Sequence, residues 1–116
     1  MPFAGRWHVR WKADNTFTDV LEWSGATWGA AGWSFSAGDI FQLGNHVELR
    51  VALADLGDPA TLPVHMGMLR EEAFAEGSWA SVPDTSYTDG YDPDYTRYFE
   101  FDLTGSTVPN AHAILQ

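Results

Sequence analysis

Apolar and polar positions alternate most regularly between residues 44 and 59, GNHVELRVALADLGDP, where Val47, Leu49, Val51 and Leu53 are separated by Glu48, Arg50 and Ala52. A helix sets its apolar residues three and four apart. A spacing of two is that of a strand with one buried and one wet face. The pattern predicts a core strand, opened by Gly44-Asn45 and closed by the turn-forming run at 55–59.

The same period recurs along the chain. In residues 6–12, Trp7, Val9 and Trp11 oppose Arg6, His8, Arg10 and Lys12, as in an edge strand whose charges discourage further pairing. Residues 13–15 read as a turn and 16–23, TFTDVLEW, as its hairpin partner. Glycines at 25, 29, 32 and 38 argue against a helix in 24–39, where the alternation of Trp33 and Phe35 with Ser34 and Ser36 predicts a short strand after a loop. Residues 40–43 lead into the core strand. Val64, Met66 and Met68 predict another strand, 70–76 is the single helix-like window, and 78–82 is a strand ended by Pro83. A loop follows over 84–95, and alternation from Tyr95 to Leu103 predicts a last long strand. The expectation is an all-β chain, one antiparallel β-sandwich domain of jelly-roll-like type spanning 1–116.

Composition narrows the function. Sixteen acidic residues against six Lys and Arg give a net charge of −10, which disfavours nucleic acid and anionic membrane as partners. Without cysteine there is no disulfide, thiol nucleophile or thiolate metal site. No apolar run is long enough to span a membrane, and no signal peptide is visible at the N-terminus. Six tryptophans are more than a core of this size readily hides.

The motifs of hydrolases, zinc proteases, phosphate-binding loops and dinucleotide folds are missing from the sequence. His46 and Glu48 share a strand face and, with His65, would suit a small metal-dependent enzyme; histidines on wet strand faces are the plainer reading. Asp84, Asp89, Asp92 and Asp94 crowd one loop and suit calcium, which takes about six to eight hard oxygens; turn-capping carboxylates are the competing reading. Trp28, Trp33, Trp79, Tyr87 and Tyr91 form the candidate sugar platform, since an exposed ring covers the C–H face of a pyranose while polar neighbours bond its hydroxyls. Packing in a core or an interface is the alternative for each ring.

The phrase VELRVALADLG at 47–57, with the segment 23–33 and YFEFDL at 98–103, resembles the β-sandwich domains grouped with the glucodextranase C-terminal binding module. More loosely it is similar to family 9 carbohydrate-binding modules and DOMON domains. Ala52 stands where that pattern commonly has Pro. The resemblance implies a sandwich that binds sugars, or haem in some DOMON members, and further strands before the equivalent of Trp7. It carries no binding residue across. If those strands are lacking, an open edge at 6–12 would be closed by homodimerisation. The reading that results is a non-catalytic carbohydrate-binding module, secreted or at the cell surface, with calcium as the candidate assisting ion. A metal-dependent enzyme acting on polysaccharide and a self-assembling structural module are the alternatives.

Overall fold

The hairpin expected near the N-terminus forms as strands β1 (Trp7–Trp11) and β2 (Thr18–Trp23), antiparallel from Trp7 opposite Glu22 to Trp11 opposite Thr18. The computed structural model describes residues 4–73, 75–84, 95–105 and 112–115. Among them the chain is all-β: ten strands in antiparallel sheets, with one 3₁₀ turn at Leu53–Leu56. It divides into two compact units, Gly5–Pro59 and Ala60–Gln116 with Met1–Ala4.

In the first unit, β2 also pairs with β3 (Trp28–Ala30), giving a sheet in the order β1-β2-β3 with β1 at an edge. Residues 33–36 keep their alternating burial but join no ladder; the third strand lies earlier, at Trp28, because the turn at 24–27 folds it straight back onto β2. A separate ribbon pairs β4 (Ile40–Leu43) with β5 (His46–Leu49) through the two-residue turn at Gly44-Asn45. The predicted core strand is therefore shorter than its pattern and not buried. Val47 and Leu49 are exposed, and Phe41 and Leu43 on the other face of the ribbon are 61% and 70% exposed. The ladder stops because the turn chemistry of 55–59 reaches back to Leu53. Gly57, in the left-handed region at φ 82°, donates to Ala54 O, and Asp58 N donates to Leu53 O. Val20, the most buried apolar residue described, lies on the β2 face shared with Trp7, Val9 and Trp11.

In the second unit the expected strand at 64–69 is two strands in different sheets. β6 (Thr61–Val64) ends before His65, and β7 (Met66–Glu72) begins after it. The helix-like window at 70–76 is instead the end of β7 and the start of β8 (Ala75–Val82), paired from Glu72–Ala75 to Met66–Val82. An isolated helix needs about 12–15 residues to persist, so cross-strand pairing prevails in a window this short. β9 (Tyr98–Asp102) is shorter than the long strand expected; it lies between β6 and β10 (His112–Leu115), a strand the pattern did not predict. Phe99 and Phe101 share a face with Leu62, Val64 and Ile114, their rings 5.9 Å apart.

Candidate functional site

Two tight turns make the β1-β2-β3 sheet. In the first, Asp14 Oδ1 accepts from Thr16 N and Oγ1 at 2.9 and 2.6 Å, and Asn15 takes φ 59°. In the second, Ser24 Oγ accepts from Thr27 N at 3.1 Å, and Gly25 adopts φ 94°, a conformation that side chains oppose. That turn brings Trp23 directly opposite Trp28.

Register then sorts the side chains into two faces. One carries Trp7, Val9, Trp11, Val20 and Glu22 and is packed: Trp33 meets Trp7 edge-on at 5.8 Å and Phe35 at 5.8 Å. Trp33 is half-buried, and its Nε1 is enclosed without a hydrogen-bond partner. Arg6 lies 4.7 Å from the centre of the Trp7 ring while its guanidinium donates twice to Glu22 Oε1, at 3.0 and 2.9 Å.

The opposite face is open. It carries His8, Arg10, Asp19, Leu21, Trp23, Trp28 and Ala30. Trp23 and Trp28 are 40% and 41% exposed, with ring centroids 5.5 Å apart and planes inclined at 56°. His8 meets Trp28 edge-on at 5.8 Å. Loss of surrounding water holds the His8 pKa below the usual histidine value, the Arg10 charge adding to it, so this ring is neutral at physiological pH. Arg10 forks onto Asp19, Nε to Oδ1 at 3.0 Å and Nη2 to Oδ2, and these bonds keep Asp19 ionised below the ordinary carboxylate range. The face thus offers two tilted indoles, a neutral imidazole and an oriented ion pair.

Of the residues expected at a sugar site, Trp28 lies on this open face and Trp33 against the opposite one. Trp79 belongs to the other unit. It is the extra residue of a bulge in β8, opposite the Met68–Leu69 step, and is 68% exposed. Tyr87 and Tyr91 lie outside the described residues, as do Asp89, Asp92 and Asp94 of the expected calcium loop. Asp84 is exposed, and its backbone carbonyl accepts from Arg97 Nη1 at 3.0 Å. Trp23 and His8 are absent from the expected platform because it was drawn from residues in or beside loops, while these two lie on strands of the N-terminal hairpin. Their signal was present: two tryptophans flanking a four-residue glycine turn, WSGATW, meet as a cross-strand pair.

Among the described residues no group of three or more His, Asp or Glu side chains converges to hold a metal. His46 and Glu48 are exposed on β5. In the other unit, His65 is committed to packing. Its Nδ1 donates to Arg97 O at 2.8 Å, its ring lies 3.9 Å from that of Tyr95, and burial lowers its pKa. No family model, curated protein or solved structure matches this chain.

Proposed function

We propose that the chain is a non-catalytic carbohydrate-binding module of the β-sandwich class, secreted or cell-surface, that holds neutral polysaccharide on the open face of β1-β2-β3. The observation that carries this reading is the exposed cross-strand pair Trp23–Trp28. Burying a large apolar side chain is worth about 1.5–3 kcal/mol, so two indoles left two-fifths exposed and side by side point to a ligand. Indole faces suit the C–H faces of sugar rings, and the Arg10–Asp19 fork beside them supplies oriented polar atoms for hydroxyls. The net charge of −10 opposes anionic chains and leaves neutral ones. A glycan array probed with and without calcium tests the reading: signal on neutral glycans that Trp28→Ala abolishes supports it, and signal unaffected by that change removes it.

A second reading, a module that assembles with itself, is favoured by Phe41 and Leu43 on the β4–β5 ribbon. Light scattering at tens of micromolar decides it: a homodimer supports self-assembly, and a monomer dismisses it.

A further inference from the structure

The ladder of β1 and β2 continues past its last paired residues, since Lys12 N donates to Phe17 O at 2.9 Å. Phe17 therefore stands on the same side of β2 as Asp19, Leu21 and Trp23. The Arg10 guanidinium, on that face, lies 5.4 Å from the Phe17 ring centre. Phe17 is exposed like the two tryptophans. A strand advances about 3.4 Å per residue, so the six steps from Phe17 to Trp23 span about 20 Å. Aromatic rings stand at both ends of that line, with the ion pair and Leu21 between them.

Resting on the carbohydrate reading above, we infer that this face is a track for an extended neutral polysaccharide lying along β2, with Phe17 as a second ring-binding position. One pyranose is comparable in size to one indole and reaches only one end. A chain of several sugars reaches both and crosses the ion pair. A carboxylate oxygen that accepts one hydrogen bond keeps a further lone pair. Asp19, fixed by the Arg10 fork, is thus placed to accept from hydroxyls in the middle of the chain. Leu21, half-buried, lines the track without blocking it.

Calorimetric titration of the full chain with the di- and hexasaccharides of cellulose, xylan, mannan and amylose tests this. For at least one series the hexasaccharide binds roughly tenfold more tightly than the disaccharide, the size of one added aromatic contact. Phe17→Ala removes that gain and leaves disaccharide affinity unchanged, whereas Trp28→Ala weakens both. Phe17→Gln, which keeps bulk without a ring face, behaves as Phe17→Ala and covers the case in which alanine disturbs the hairpin. Equal affinity for the two lengths, or a length gain untouched by both Phe17 variants, overturns the track while Trp28-dependent binding still upholds the sugar site. Failure of every series to bind overturns both.

Discussion

Replacing Gly67 by alanine is a sharp test of how the second unit is held together. A Cβ built on Gly67 overlaps the Tyr95 hydroxyl and comes within 3.2 Å of the ring carbon that bears it. Tyr95 is buried, and its ring cannot simply move away, because His65 lies against it at 3.9 Å and is itself tied to Arg97 O. Overpacking of this kind costs about 1–3 kcal/mol. An unhindered Gly→Ala change would instead stabilise by about 0.4–1 kcal/mol through the unfolded chain. The net expectation is a loss of about 0.5–2 kcal/mol, or about 2–8 °C in melting temperature at roughly 4 °C per kcal/mol. Thermal melts followed by near-ultraviolet circular dichroism measure it, in a double-mutant cycle with Tyr95→Phe. Phe removes the atom in closest overlap but not the ring carbon at 3.2 Å, so it recovers part of the loss. A Gly67→Ala protein that melts higher than the parent, or a cycle with no coupling, would refute the close approach.

Trp33→Ala, which opens the packed aromatic group beneath the sheet, should cost about 3–5 kcal/mol of stability in urea titrations, whereas Trp28→Ala should lower melting little and weaken sugar binding. Burial lowers the His65 pKa, so the folded chain favours the neutral ring: this contribution is fully present above the ordinary value of 6.5 and is lost as pH falls below it. Urea midpoints from pH 8 to pH 5 should accordingly fall more steeply for the parent than for His65→Gln, and parallel slopes would contradict this. Calcium, if held by the loop that starts at Asp84, raises the melting temperature at millimolar concentration, and Asp89→Ala with Asp92→Ala abolishes the rise. Identical melts with calcium and with chelator would leave those carboxylates as turn formers.

The sheet of the first unit was legible in the sequence where it is local. Residues 6–23 carry a turn between two β-rich runs, and the register follows from that turn alone. At 47–53 the period of two was read correctly over its first half, but period says which residues share a face and not what covers it. Val47 and Leu49 do share a face, on a ribbon that leaves them exposed. Residues 70–76 were misread because Ala and Glu favour helices intrinsically, while the pairing of Glu71 with Glu76 depends on a turn with no Gly, Pro or Asn to announce it. The candidate site was half legible. Trp28 is legible from its place in a loop-like segment, whereas Trp23, Phe17 and His8 lie on hairpin strands, which the loop-based choice of platform passes over. Alternation along each strand turns Phe17 and Trp23 away from Val20 and His8 away from Val9, and cross-strand register adds that they share one face with Trp28.

On the proposed function, the exposed Trp23–Trp28 pair binds neutral polysaccharide. The most direct measurement is calorimetric titration of soluble glucan, xylan and mannan into the parent chain and into Trp23→Ala/Trp28→Ala, each verified as folded by its melt. The expected result is binding of at least one polymer by the parent and none by the double variant at an unchanged fold. A folded double variant that binds as the parent does, or a parent that binds none of the three, contradicts it.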